Sequence, residues 1–198
     1  MKTQRAKRIC EFRLKLPSYE DSYFIKKALK LEAALKKKPT AVHLEMIGAG
    51  EIPADTALLF RSILAGRSPG TRLVTNARTS LRGASVLVWL LGDQRTIRDD
   101  ARVFFRRNPL ADEDPVEVYA GLGEAAPKYK DSYSSIDPED ADYVRVLEHI
   151  NEFLPVAEFA GRVINVSVLR EFGLLGNQRV DVALATAFSK NRAASVTT

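Results

Sequence analysis

Short segments with the patterns of β-strands alternate with segments of helical periodicity along most of this chain. Residues 8–16 alternate polar and apolar side chains, as a half-buried strand does, and residues 21–38 space their apolar side chains at helical intervals with lysines outside. Residues 41–47 form a mostly apolar run that ends in the turn Gly48-Ala49-Gly50. Repeated strand–helix–strand units predict an α/β fold with a mostly parallel sheet, in a single domain over residues 1–198.

The later segments continue this alternation with one ambiguity and one interruption. Residues 83–91 are apolar all round, which suits either a buried strand or a buried helix, since periodicity cannot choose between them. Two short strands are expected at residues 95–97 and 101–105. Residues 108–137 are rich in acidic and turn-forming side chains and are predicted to be an acidic loop or excursion, and residues 189–198 a frayed tail.

Composition and charge exclude several classes of function. The formal charge of +5 is modest, but residues 1–40 carry 12 basic and 4 acidic groups whereas residues 111–152 carry 3 basic and 12 acidic. No nucleic-acid reading motif accompanies the basic groups, which argues against nucleic acid as a partner. No apolar run is long enough to span a bilayer, and the basic start leads into an alternating segment, so we expect a cytoplasmic protein without membrane contact. One cysteine and two histidines predict no metal site, and no cofactor is expected.

Three segments, in this order, resemble the Clp-type protease and crotonase superfamily. Residues 41–63 resemble its strand, glycine turn and helix, with Ala49-Gly50 where a Gly-Gly pair usually stands. Residues 72–107 resemble its strand, its nucleophile-bearing turn, a buried helix ending here in Leu91-Gly92, and a strand that closes on a histidine. Residues 169–175, LREFGLL, are similar to an element near the end of that domain. The resemblance implies a ClpP/crotonase-like spiral of repeated ββα and βαβ units.

The resemblance also implies a catalytic site, from which this chain departs at three positions. In that site a serine at the start of a buried helix is deprotonated by a histidine, while backbone N–H groups hold the oxyanion. The family's spacing places the serine position on Gly83, the histidine position on Arg106 and the acidic partner near Gly161. Glycine has no nucleophile and a guanidinium stays protonated, so these positions are interpreted as a degenerate triad.

The oxyanion cradle is the part of the implied site that this sequence can retain. The backbone N–H groups of Gly50 and Ala84 are expected to converge there, flanked by Arg82 and Arg106. Backbone donors beside arginines attract carboxylate or phosphate, so a small anionic or peptide ligand is left open.

Two serines are rival nucleophiles if the register is shifted by two or three residues. Ser85 lies in the apolar run and Ser80 precedes it. A serine in a buried helix more often bonds a carbonyl one turn back, so neither is assigned a catalytic role. His43 and His149 are interpreted as core or surface side chains rather than as catalytic bases.

These observations favour a catalytically degenerate, ClpP-like protein that acts as a non-catalytic or regulatory subunit and assembles with itself. The resemblance implies rings of such subunits. The alternative is a serine hydrolase or peptidase, or an acyl-thioester enzyme, that uses a displaced nucleophile or only the oxyanion cradle. A third class, an anion-binding or nucleic-acid-binding module, would require salt-dependent retention on a polyanion.

Overall fold

A computed structural model of the chain describes residues 8–16, 22–48, 50–106 and 138–177. The segments expected to be an acidic loop, 108–137, and a frayed tail, 189–198, lie outside the described residues. In chain order the elements are β1 (Ile9–Leu16), α1 (Tyr23–Leu35), β2 (Ala41–Gly48), α2 (Ala54–Ala65), β3 (Arg72–Ala77), β4 (Leu81–Arg82), α3 (Ala84–Leu90), β5 (Gln94–Ile97), β6 (Arg102–Phe104), α4 (Pro138–Ile150), α5 (Val156–Phe159), β7 (Ile164–Asn165), α6 (Val166–Glu171) and β8 (Gly176–Asn177). Among the described helices, none has the length and apolar character needed to cross a lipid bilayer.

The strands form two sheets. The larger sheet has the order β1-β2-β3-β5-β8, in which the first three pairings are parallel and β8 is antiparallel to β5. The smaller sheet has the order β4-β6-β7, with β4 parallel and β7 antiparallel to β6. The mostly parallel α/β architecture is therefore confirmed, while the second sheet was not anticipated because its strands are only two or three residues long.

The helices α1 and α3 pack against β1 and β3 of the larger sheet through apolar side chains. In α1 the buried side chains Phe24, Ala28, Leu31 and Leu35 recur at helical spacing, and they share one core with Leu14 and Leu16 of β1 and Leu44 and Met46 of β2. The helix α2 packs between α1 and α4, and α3 packs against both α2 and α4. The strand β1 alternates between buried and more exposed residues, as predicted for a half-buried strand. The strand β2, predicted from a mostly apolar run, shows the same alternation.

The apolar run at residues 83–91 forms the helix α3, whose side chains are all buried. Strand pairing explains why this run does not form a strand of the larger sheet. One edge of β3 is taken by β2 and the other by β5, through the pairs Val42↔Leu73 and Val74↔Gln94. The run must therefore leave the sheet, and helix formation satisfies its backbone groups internally.

Arg95 is a buried cation that joins three parts of the fold. Its side chain is almost inaccessible, with a residue exposure of 3%. Its Nε donates to the Leu174 carbonyl at 2.9 Å, one Nη donates to the carbonyl of Leu90 at the end of α3, and the guanidinium lies 5.4 Å from the centre of the Phe153 ring. Burial lowers the pKa of Arg95 to about 10, against the opposing effect of Asp93, so the group is cationic at neutral pH.

Replacing Arg95 with Met is expected to lower the free energy of unfolding by about 2–4 kcal/mol, because two buried carbonyls lose their donor. The matched control is Arg98→Met, since Arg98 is exposed and pairs with the exposed Asp100. That variant is expected to stay within about 0.5 kcal/mol of the wild type. Urea unfolding measures both values, and equal effects of the two substitutions would contradict the role assigned to Arg95.

Candidate functional site

The candidate site is built on the connection that leaves β2 and enters α2. At the end of β2, Gly48 has φ +88°, and a Cβ atom there would lie 2.1 Å from the carbonyl oxygen of Leu16 on β1. Only glycine allows the backbone to turn at this point while the neighbouring strand is so close. The turn directs the next residues, which include Glu51 and Ile52, over the start of α3.

Two hydrogen bonds tie this connection to α3. The backbone N–H of Ala84 donates to Glu51 Oε1 at 2.9 Å, and the backbone N–H of Ile52 donates to Ser85 Oγ, also at 2.9 Å. Ala84, Ser85 and Ile52 are fully buried, so each bond satisfies a group that has no access to water. The N–H expected to hold an oxyanion thus binds a carboxylate of the same chain.

Gly83 occupies a sharp turn from β4 into α3. Its backbone has φ +49° and ψ −130°, a combination that costs a residue with a side chain conformational strain. Its N–H donates to the Phe104 carbonyl at 2.8 Å. A Cβ atom at Gly83 would lie 1.5 Å from Glu51 Oε1, so the carboxylate occupies the space of a missing side chain.

Arg106 lies beside a buried tyrosine of α4. The backbone N–H of Arg106 donates to the Tyr143 hydroxyl at 3.0 Å, and its guanidinium lies 4.7 Å from the centre of the tyrosine ring. Burial raises the pKa of Tyr143 to about 12, and the negative charge of Glu51 adds to this effect while the contacts with Arg106 oppose it. Glu51, Arg106 and Tyr143 therefore form one electrostatic cluster.

The three positions that the resemblance implies for a triad, Gly83, Arg106 and Gly161, lie close to the end of β6. Gly83 bonds to Phe104, and the N–H of Gly161 donates to the Phe105 carbonyl at 2.9 Å. Arg106 follows these two residues directly in the chain. Gly161 has φ +77° and open space around its Cα, in the turn after α5.

The remaining candidates lie in several places. Ser80 Oγ accepts the N–H of Arg102 at 3.0 Å, and His149 Nδ1 is 2.8 Å from Glu152 Oε1. His43 is exposed on β2, where it pairs with Glu11 and Val74. Within the described ranges neither imidazole contacts a serine hydroxyl.

Two further candidates belong to the expected cradle. Arg82 is half-buried on β4, next to Gly83. Gly50 precedes Glu51, and the bonds from this connection to α3 run through Glu51 and Ile52.

Glu51 is the site residue that sequence reasoning missed. No acidic side chain lies within residues 76–92, so the sequence around the start of α3 offers no acid or base of its own. The glutamate comes from a segment 33 residues earlier in the chain. The sequence did contain one signal for this role. Glu51 directly follows the glycine turn, and that turn was already expected to face the start of α3.

Gly83→Ala is expected to destabilise the protein by about 2–4 kcal/mol, since it combines backbone strain with expulsion of the Glu51 carboxylate. In a Glu51→Ala background the same substitution should cost at least about 1 kcal/mol less, because the collision is gone. Urea unfolding of the four proteins of this double-mutant cycle measures the coupling.

Gly70→Ala is the control, because a Cβ atom at Gly70 would have nothing within 4 Å of it. Additive effects would contradict the contact.

The raised pKa of Tyr143 predicts a late tyrosinate titration. The difference in ultraviolet absorbance between the wild type and Tyr143→Phe should have its midpoint at about 12, above the ordinary value of 10.0. Because the pKa is higher in the folded than in the unfolded chain, this tyrosine stabilises the fold fully below pH 10 and loses that contribution as the pH rises towards 12. A midpoint near 10 would contradict the prediction, because burial and the charge of Glu51 would then fail to raise the pKa of this hydroxyl above its ordinary value.

Comparisons with known proteins identify the fold that carries this site. No model of a known protein family and no curated protein matches the sequence. Among solved structures, ClpP1 from Listeria monocytogenes superposes with a TM-score of 0.53 at 9% identity, covering 85% of this chain and 89% of that one. The catalytic domain of the ClpP protease from Plasmodium falciparum gives 0.56 at 9% identity, covering 85% and 83%.

A Bordetella parapertussis protein that carries the name enoyl-CoA hydratase/isomerase gives a TM-score of 0.53 at 13% identity, covering 98% of this chain and 78% of that one. These low identities establish a shared fold and leave the chemistry of the site to be argued from its own residues. The expected ClpP/crotonase-like architecture is confirmed: this chain has the fold shared by ClpP proteases and enoyl-CoA hydratase/isomerase proteins.

Proposed function

We propose that this protein is a non-catalytic, self-assembling subunit with a ClpP/crotonase-like fold, whose oxyanion cradle is filled by its own Glu51. The observation that carries the proposal is the hydrogen bond from the Ala84 N–H to Glu51 Oε1. A carboxylate oxygen bears negative charge, as an oxyanion does, and it takes the donor that a reacting carbonyl would need. A substrate would have to displace this internal acceptor before it could react.

The turn at Gly83 also supports a non-catalytic role, because it offers no nucleophile. A sharp, strained turn from a strand into a helix is where hydrolases of the Gly-x-Ser-x-Gly type expose their serine. Here the turn has a strained backbone, but its residue is Gly83. The Glu51 carboxylate occupies the space where a side chain at this position would lie. A nucleophile cannot be restored at this position without moving the carboxylate.

Arg106 and the two serines supply no replacement for the missing groups. A guanidinium cannot accept a proton at neutral pH, and that of Arg106 lies against Tyr143. Ser85 is fully buried and its oxygen accepts the N–H of Ile52, so a substrate cannot reach it. Ser80 binds the backbone of β6, with no imidazole beside it in the part of the chain that the structure describes.

A second candidate function is an acyl-thioester enzyme in which Glu51 moves a proton. It is favoured by one observation, the electrostatic coupling of the Glu51 carboxylate to the Tyr143 phenol next to a backbone donor. In this arrangement Glu51 would act as acid or base, while the Ala84 N–H would hold a thioester carbonyl. The first proposal is preferred because the Glu51 carboxylate already accepts the hydrogen bond of the Ala84 N–H. While it does so, this N–H cannot hold a substrate carbonyl.

Subunit association and a cytoplasmic location complete the proposal. The opposite charges of the basic first 40 residues and the acidic residues 111–152 support contact between copies. A lone cysteine, Cys10, gives the described fold no internal disulfide, which suits a reducing compartment.

The test compares the wild type with Glu51→Gln, using a fluorophosphonate serine probe and a set of short-chain acyl-CoA thioesters. The glutamine keeps a carbonyl oxygen for the Ala84 N–H but can no longer exchange a proton. We expect neither protein to be labelled or to turn over a thioester, and we expect nearly equal thermal stabilities. Mass spectrometry and thioester absorbance provide the readouts.

Two results would overturn the proposal in different ways. Labelling at Ser80 or Ser85 would establish a displaced nucleophile. Thioester turnover that Glu51→Gln reduces by a factor of about 100 or more would establish the acid–base role of Glu51 instead.

A further inference from the structure

The strand β1 lies at one end of the larger sheet, and among the described strands it pairs with β2 alone. Successive residues of a strand direct their backbone groups to opposite edges. The Arg8 carbonyl accepts the N–H of Thr40, directly before β2, at 2.9 Å, so the even-numbered residues face β2. The odd-numbered residues from Ile9 to Lys15 therefore direct their backbone groups away from the sheet. We call these groups the outer edge of β1.

A tyrosine of α1 occupies one half of the outer edge. The Tyr23 hydroxyl accepts the Lys15 N–H at 3.1 Å and donates to the Arg13 carbonyl at 3.3 Å. The other half belongs to Ile9 and Glu11, which are both exposed, Ile9 by 52%. Because an unpaired strand edge is a template for a further strand, this half of β1 is open to pairing.

The core face of β1 is less well covered along the same half. Leu14 and Leu16 are buried, whereas Cys10 and Phe12 are only partly buried although they pack against the same core. Burial therefore falls towards the end of β1 where the outer edge is open. A further strand at this edge could cover Phe12 with an apolar side chain, as neighbouring strands do for each other.

The opposite face of β1 carries positive charge. The side chain of Arg13 is 62% exposed, and it shares the Glu45 carboxylate with Arg78, at distances of 2.6 and 2.5 Å. Two guanidiniums thus face one carboxylate, which leaves an excess of positive charge. Residues 1–40 as a whole carry 12 basic and 4 acidic groups. A strand added here is matched in charge when its side chains on this face are acidic.

We propose that the outer edge of β1, from Ile9 to Arg13, binds an extended segment of another protein in which apolar and acidic side chains alternate. The segment adds a strand to the larger sheet through hydrogen bonds with the backbone of Ile9 and Glu11. Its apolar side chains cover Phe12, and its acidic side chains lie beside Arg13. Tyr23 ends the site, so about five residues of the segment are held. This surface is separate from the Glu51 site and does not depend on the proposed function.

The test measures binding of a fluorescein-labelled peptide of about eight residues, in which valine and glutamate alternate, by fluorescence anisotropy. We expect the wild type to bind it with a dissociation constant of about 10–100 µM. Glu11→Pro removes an outward N–H without taking a bond from β2, so it should weaken binding at least about tenfold. Glu11→Thr is the matched control, because it also loses the carboxylate but keeps the N–H. It should bind at least as tightly as the wild type.

Two further measurements locate the site on β1. Tyr23→Phe releases two more groups of the outer edge, so it should tighten binding at least about threefold. The peptide should slow hydrogen exchange at the amides of Ile9 and Glu11, which face outwards. The amides of Cys10 and Phe12 face β2 and should keep their exchange rates.

Two control peptides separate the backbone contribution from the charge. A peptide with methylated backbone nitrogens keeps its side chains but loses its donors, and it should not bind. This comparison needs only the wild type, so it holds even if Glu11→Pro does not fold. A peptide with lysine in place of glutamate should bind at least about fivefold more weakly, because its charge matches that of the site.

Four outcomes would overturn the inference. No binding to the wild type at about 1 mM peptide removes the site. Equal affinities of Glu11→Pro and Glu11→Thr show that backbone pairing at this edge is not involved, and equal affinities of the glutamate and lysine peptides exclude an acidic partner. An unchanged or weaker affinity of Tyr23→Phe contradicts the end of the site at Tyr23. If the wild type takes up no peptide and Glu11→Pro separates associated copies in sedimentation, a second copy occupies the edge instead.

Discussion

The bond between the Ala84 N–H and the Glu51 carboxylate is the contact on which the architecture of the site depends. It joins the connection after β2 to the start of α3, and the Ile52–Ser85 bond repeats the join one residue further along. Both bonds satisfy buried groups, so the site cannot open without leaving a donor unpaired in the interior. The same contact explains why Gly83 has no side chain, since Glu51 occupies that volume.

The rest of the fold holds this contact in place through packing and one buried cation. The helix α3 is buried on every side, so its start cannot shift without disturbing α2 and α4. At its other end the Leu90 carbonyl is bound by Arg95, which also binds Leu174. The start of α3 is therefore fixed by Glu51 and its end by Arg95.

A shared fold leaves the chemistry of a site open, because fold and chemistry depend on different residues. The parallel strands, the glycine turn and the buried helix give this chain its likeness to ClpP and to the enoyl-CoA hydratase/isomerase structure. Chemistry needs particular groups at a few positions, and the positions that the resemblance assigns to a triad hold Gly83, Arg106 and Gly161, with the Glu51 carboxylate against the first. Under the proposed function the protein would act through contacts between copies.

Local pattern determined most of the fold, because alternation, helical spacing and glycine turns are properties of neighbouring residues. It predicted β1, α1, β2 and the parallel architecture, and it placed the turn at Gly48 and the start of the buried run at Gly83. Only tertiary structure decided that residues 84–90 form a helix, because both edges of β3 are occupied by other strands. It alone also brought Glu51 to Ala84, since a contact across 33 residues depends on how the elements pack and leaves no periodic trace in the sequence.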